Sequence, residues 1–358
     1  MNETPNDILK TPVAQADFEQ ITRLVSSEFQ VQEALIEHNV PTYYLAERQE
    51  TKQAFLNVLK GLDSMRLTAF LRRVDGKIVL RVVPGIPVKP SNIAINWILF
   101  FATVVTTFVA GYLLTPGIVD PVVGGVTFTV AMLAVLGTHE MGHKLTAKRK
   151  GMAATSPYFI PGPPPFGTFG AVIMQKSLPP NRDALFDIGA TGPVAGFVMA
   201  TIVSAVGMTL LVPSPPVEAT AIGVPVLWIL LERFLLVLNM IPVPPPGGVL
   251  LLHPVAFAGW VGILVTMLNL LPAAMLDGGH VARSTVGERL RYVLTFLSII
   301  YLVIEGFYPM AILVFFLSMY RHPGPLDDVS GLSAGRKGLS IVLVGIFVLC
   351  IIPSLPVL

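Results

Sequence analysis

The chain has 358 residues, of which 53% are apolar and only 13% charged, with a formal net charge of +2 and a mean hydropathy of +0.71. Soluble globular domains carry about 25% charged residues, so most of this chain is expected in a lipid bilayer, and its near-neutral balance speaks against a nucleic-acid-binding surface. The single cysteine, Cys350, excludes an internal disulfide and a thiolate metal site. No nucleotide partner is expected either.

Residues 1–20 are polar and contain prolines, so no cleavable signal peptide is expected. Residues 1–92 hold much of the charge and read as a small soluble α+β domain. Apolar residues recur at helical spacing over 17–28 and 49–63, and 41–45 reads as a strand. Segments 66–74 and 77–83 flank Asp75-Gly76, a two-residue hairpin signal. Nothing in this part resembles a site, and His38 reads as a surface histidine.

From residue 93 onward apolar segments follow one another. A spanning helix needs about 20 apolar residues. Segments 93–114, 122–144, 184–212, 255–276 and the shorter 339–352 are candidates. Glu305-Gly306 and Pro309 interrupt 291–320, which reads as a hairpin of two short helices. Segment 222–241 has Glu232-Arg233 at its centre. Each mid-membrane charge costs about 2.5–3.5 kcal/mol on insertion scales, so it reads as interfacial or re-entrant. The fold class expected is an all-α polytopic membrane protein with about six to eight spanning segments. It adds the small N-terminal α+β soluble domain and a membrane-associated β-hairpin-like segment. Its membrane domain covers 93–358, with a core of 122–150, 184–212 and 253–280.

Charge sets an orientation. Lys144, Lys148, Arg149 and Lys150 follow one apolar segment, and Arg283, Arg289 and Arg291 follow another. Both ends are expected on the cytoplasmic side of the cell membrane. The two segments are then parallel, with one crossing between them.

Residues 139–143 read His-Glu-Met-Gly-His. Histidines four apart on a helix share a face, so His139 and His143 can reach one zinc ion. Glu140 is placed to take a proton from a water at the metal. A catalytic zinc usually has a third protein ligand. Asp277 is the only carboxylate between Glu232 and Glu288, and a membrane carboxylate is functional by default. Pro272 interrupts the helix before it, and Gly278-Gly279 let the backbone turn after it. The parallel orientation brings Asp277 to the same side of the bilayer as the histidines. Asn269 has two readings: a cap at the Pro272 break, or a donor to substrate backbone and oxyanion.

Together these motifs resemble the site-2 protease family of intramembrane zinc metalloproteases. His139, Glu140 and His143 match its first motif, and Asn269, Pro272, Leu276, Asp277 and Gly278 its second. The run from Gly192 to Phe197 looks like the family's third segment. His253-Pro254, Ala258-Gly259-Trp260 and residues 268–272 look like the group with chloroplast and archaeal members. The resemblance covers roughly 93–357 and implies one zinc per chain. It also implies substrates that are single-pass transmembrane proteins, cut within the bilayer. Neither a PDZ nor a CBS domain, frequent in the family, is read here.

Residues 157–165 contain five prolines and a glycine, which rules out regular helix or central strand there. Residues 166–174 then read either as a buried loop or as an edge strand that pairs with unwound substrate. Gly167, Thr168, Phe169 and Gly170 are the candidate substrate contacts. Alternation puts the N–H groups of Thr168 and Val172 on one side of such a strand and those of Phe169 and Ile173 on the other. Proline at Thr168 or Val172 is expected to weaken the edge.

Other polar residues read more plainly. His280 is either a support to the ligand loop or an ordinary polar residue. His253 and His322 read as structural, Asp187 as the partner of a nearby base rather than a ligand, and Glu305 as a turn. Two rival functions share these residues: a transporter or metal carrier, which would have no use for Glu140, and a catalytically dead membrane scaffold. An intact glutamate beside all three ligands argues against the scaffold.

Overall fold

The computed structural model describes residues 15–85, 87, 91–115, 117–216 and 222–352. Its chain packs as two compact units.

The first unit comprises residues 1–89, 177–185 and 323–333. Helices α1 (Gln15–Glu28) and α2 (Lys52–Asp63) accompany strands β1 (Val31–Glu37), β2 (Val40–Leu45), β3 (Leu67–Val74) and β4 (Lys77–Pro84). The strands form an antiparallel sheet in the order β1-β2-β4-β3. Asp75 and Gly76 join β3 to β4 with φ of 48° and 83°, the left-handed pair that a tight hairpin needs. A second such pair, His38 and Asn39 at φ 50° and 65°, turns β1 into β2. Ile21 and Val25 of α1, and Phe55, Val58 and Leu62 of α2, recur at helical spacing and bury against Tyr43, Leu71 and Leu80 of the sheet.

The composition boundary at 92 leaves out two segments that complete this unit. Leu326 and Val329 pack on its apolar core. The Leu71 N–H donates to Leu326 O at 2.9 Å, and the Asp328 N–H donates to Leu71 O at 3.1 Å. Leu326 N–H donates in turn to Pro179 O at 2.8 Å. The outer edge of β3 is thus covered by distant chain, which removes an exposed strand edge. Ion pairs Lys52–Asp183 (3.1 Å) and Arg182–Asp328 (3.0 Å) hold the same segments.

The second unit comprises 90–176, 186–322 and 334–358. Its first elements are α3 (Ile93–Leu113), α4 (Pro121–Arg149), the hairpin β5 (Tyr158–Pro161) and β6 (Thr168–Val172), and α5 (Arg182–Thr209). Then come β7 (Val212–Ser214), α6 (Val226–Val237), β8 (Val249–Leu251), α7 (Pro254–Leu270) and α8 (Asp277–Thr285). Last are α9 (Gly287–Ile304), α10 (Tyr308–Ser318) and α11 (Ala334–Cys350). Among the described residues, α3, α4 and α5 are long and apolar enough to cross a membrane, and α7 and α10 are shorter apolar helices. Trp97, Phe101 and Val105 of α3 point outward, each more than half exposed, an apolar face that suits lipid.

Helix α4 opens where Asp120 accepts hydrogen bonds from the N–H groups of Val122 and Val123, with Pro121 at its first position. Its 29 residues extend about 43 Å at 1.5 Å per residue, beyond the 122–144 expected. The 255–276 segment does not stay helical: α7 ends at Leu270, because a helix rarely survives the approach to a proline, here Pro272. The 291–320 segment does split into α9 and α10, at Gly306 with φ 79°. Helix α6 has 12 residues, about 18 Å, short of the roughly 30 Å hydrocarbon core. The antiparallel β7–β8 pair had no clear sequence signal, since each strand has three residues.

Candidate metal centre

His139 and His143 lie one turn apart on α4, and Asp277 is the first residue of α8. Their ligand atoms converge. His139 Nε2 is 3.1 Å from His143 Nε2, and Asp277 Oδ2 is 3.2 Å and 3.3 Å from the two nitrogens. A tetrahedron with Zn–N arms of about 2.0–2.1 Å has edges of about 3.3–3.4 Å, so these spacings fit three corners of a four-coordinate site. The tautomer fits as well. His143 Nδ1–H donates to the Ile188 carbonyl at 2.9 Å, which leaves the Nε2 lone pair for a metal. Among the described residues this is the one group of three or more such ligands close enough to hold an ion.

The centre fits because α5 offers a smooth face. Gly189, Gly192 and Gly196 follow one another at spacings of three and four, one side of a helix. A Cβ on Gly192 would overlap the His143 ring, and one on Gly196 would come within 2.9 Å of His139 Nδ1. A Cβ on Gly189 would come within 2.6 Å of Asp277 O. Each of these glycines therefore faces one member of the trio.

Glu140 is buried beside the trio but outside it, with Oε1 4.0 Å from His139 Nε2. The Ile173 backbone lies near its carboxylate. Asn269, the next-to-last residue of α7, brings Nδ2 within 3.5 Å of His139 Nε2. Both lie where chemistry at the metal could use them.

The hairpin divides the four candidate substrate contacts. The Gly167 carbonyl accepts from Thr106 Oγ1 at 2.6 Å, and a Cβ there would meet the α3 backbone at Thr107. Thr168 is buried and donates from Oγ1 to Ile160 O at 2.7 Å. Those two residues hold the hairpin itself. Phe169 is 73% exposed, and a Cβ on Gly170 would meet nothing within 4 Å. The parity expected for the edge is reversed. Met174 N–H donates to Thr155 Oγ1, and Met174 O accepts from Thr155 N–H. Alternation therefore turns the N–H of Val172, paired with Tyr158, inward, and those of Ala171 and Ile173 outward.

The remaining polar residues take partners other than the trio. His253 caps α7, accepting from Val255 N–H at 3.1 Å. His280 and His322 hydrogen-bond each other at 2.7 Å. Asp187 pairs with Arg336 (2.6 Å) and Lys150 (2.7 Å), as a partner of bases rather than a ligand. The Ile188 carbonyl was missed from sequence, since backbone groups carry no residue signal.

Residues 127–304, about half the chain, match peptidase family M50. This chain belongs to that family, the site-2 proteases. A "Probable zinc metalloprotease EGY1, chloroplastic" of Oryza sativa subsp. japonica is 32% identical over 233 residues, which cover 62% of this chain and 39% of that protein. The protein of the same name in Arabidopsis thaliana is 31% identical over 235 residues, covering 62% and 42%. A "Probable zinc metalloprotease EGY2, chloroplastic" of Oryza sativa subsp. indica is 28% identical over 291 residues, covering 75% and 51%. The matched stretch is thus about half or less of each relative's length. No solved structure matches the chain.

The M50 centre depends on the α5 glycines, which gives a direct test. Gly192→Ala is expected to push the His143 ring aside and to lower bound zinc sharply, measured as metal per folded chain. Gly137→Ala is the control, because a Cβ at that α4 position meets nothing within 4 Å. That change should keep full metal content and gain about 0.5–1 kcal/mol of stability from helix propensity.

Proposed function

We propose that this protein is an intramembrane zinc metalloprotease that hydrolyses peptide bonds within the transmembrane helices of single-pass membrane proteins. One observation carries the reading. His139, His143 and Asp277 converge to 3.1–3.3 Å, with a buried glutamate 4.0 Å away, on a helix long enough to cross a bilayer.

Bound there, zinc would polarise the scissile carbonyl and acidify the attacking water. The chain's own groups do the rest. The Glu140 carboxylate accepts the proton of the attacking water and returns it to the leaving amide nitrogen. Burial keeps bulk water from competing for that carboxylate. The Asn269 amide N–H donates to the oxygen that gains charge in the transition state. A helical substrate hides its peptide bonds in its own hydrogen bonds, so it must unwind first. The outward N–H of β6 at Ala171, with exposed Phe169 and Gly170 before it, receives the unwound segment as an added strand.

The orientation proposed follows the basic residues. Lys144, Lys148, Arg149 and Lys150 end α4, and Arg283 and Arg289 follow the Asp277 loop. Positive residues stay on the cytoplasmic side, so the catalytic end of α4 faces the cytoplasm of a cell membrane. Helices α3, α4, α5, α7 and α11 and the α9–α10 hairpin supply the crossings, while α6 lies at the interface.

Two substitutions test the chemistry. Glu140→Gln should lower cleavage of a transmembrane substrate by a hundredfold or more, the low end for losing a general base, while zinc per chain stays at the wild-type level. Asp277→Ala should lose zinc and cleavage together. Cleavage by Glu140→Gln at the wild-type rate would overturn the assignment.

The strand edge is tested by two prolines. Ala171→Pro removes an outward N–H and should raise KM with the hairpin intact. Val172→Pro removes an inward one and should instead speed amide exchange across 158–172. Unchanged KM in Ala171→Pro would leave β6 with no role in binding.

For orientation, Lys148→Cys places a thiol on an exposed position at the end of α4, while the native Cys350 is buried. A membrane-impermeant maleimide should label it only after the cytoplasmic face is opened. Labelling of intact cells from outside would reverse the topology.

A further inference from the structure

Asp277 is delivered by a short turn, and that turn is unusual. Pro272 ends α7, and α8 does not begin until Asp277. Within the turn, Ala274 has φ 45°, a left-handed conformation that residues with a Cβ rarely adopt. Leu271, Ala273 and Ala274 are all buried, so the peptide groups there have little access to water and need partners.

Helix α9 supplies them. The Ala274 N–H donates to Thr295 Oγ1 at 3.0 Å. Arg291 Nη1 donates to the Ala274 carbonyl at 3.1 Å. Both side chains are buried, at 1% and 3% exposure, and Thr295 Oγ1 donates back to Arg291 O at 2.9 Å. Arg291 is itself steadied by Glu288, which accepts from Nε at 3.1 Å and Nη2 at 2.8 Å. The sequence marks Arg291 only as one of the basic residues that orient the chain. Its head group is instead turned inward onto one carbonyl, three residues before the third ligand. The intervening backbone is stiff: the Leu276 N–H donates to Ala273 O at 3.0 Å, and the His280 N–H donates to Leu276 O at 3.0 Å.

We infer that Arg291 and Thr295 are positioning residues for the metal centre: by gripping both peptide groups of Ala274, they hold the left-handed turn that aims Asp277 at His139 and His143. They touch neither metal nor substrate. The inference rests on the reading of that trio as a zinc site.

The test measures zinc affinity by chelator competition, and the d–d spectrum after Co2+ replaces zinc. Thr295→Val keeps shape and removes the acceptor. It should weaken zinc about 10–100-fold, the usual cost of losing an outer partner of a metal ligand, and change the Co2+ band as the carboxylate moves. Arg291→Lys, which keeps the charge but not the fork of donors, should weaken zinc less than Arg291→Met. Ser298→Ala is the control, because that buried hydroxyl bonds only the Leu294 carbonyl of its own helix at 2.8 Å. It should leave zinc affinity unchanged. Glycine tolerates positive φ, so Ala274→Gly added to Thr295→Val should recover part of the lost affinity. Wild-type affinity in Thr295→Val and Arg291→Met, an equal loss in Ser298→Ala, or no recovery with Ala274→Gly would each overturn the inference. A wild-type protein that binds no zinc would instead overturn the site reading beneath it.

Discussion

Two imidazole nitrogens and a carboxylate oxygen within 3.1–3.3 Å of one another present lone pairs to a common point, and such groups repel unless a cation lies between them. Much of the second unit serves that arrangement. Helix α4 puts two histidines on one face. Helix α5 turns small residues toward them, so that the rings and the Asp277 backbone can approach without side chains intervening. The Ile188 carbonyl selects the His143 tautomer. The interruption after α7 lets α8 start with Asp277 at the required depth, where an unbroken helix would have carried it past.

Placing such a centre among apolar helices raises a second problem. Polar groups away from water need partners, and non-helical backbone is tolerated at membrane depth only against protein or a water-lined cavity. Asp187 meets Lys150 and Arg336, tying α5 to the end of α4 and the start of α11. The β5–β6 hairpin is anchored through Gly167 to Thr106 of α3. Its continuation brings the Ile173 backbone near Glu140. Ile173 follows the end of β6, so a peptide added to the outward edge of that strand would arrive beside Glu140.

Much of this was legible in the chain. Asp75-Gly76 announces a hairpin because both residues accept positive φ, and Pro272 and Gly306 interrupt helices for backbone reasons that hold in any context. The His-Glu-x-x-His spacing and the single carboxylate between Glu232 and Glu288 name the trio without coordinates. The misses have physical causes too. Strand β1 is an edge strand with mostly exposed side chains, so it lacks the alternation that burial imposes. Segments 177–185 and 323–333 join the first unit through backbone bonds, two apolar side chains and two ion pairs, too few and too scattered to leave a periodic pattern in the sequence.

The sequence by itself determined which residues are chemically able to bind a metal and move a proton, and which stretches are apolar enough to favour lipid, because those properties belong to side chains and local spacing. The tertiary structure decided how these parts meet. Asp277 and His139 are separated by 138 positions, and their approach depends on the α5 face and on how the Ala274 turn is held. The inward or outward sense of β6 was likewise open to either parity in sequence. It was decided by the neighbour that the strand's continuation met, at Thr155, since a strand reads the same from both edges until one of them is paired.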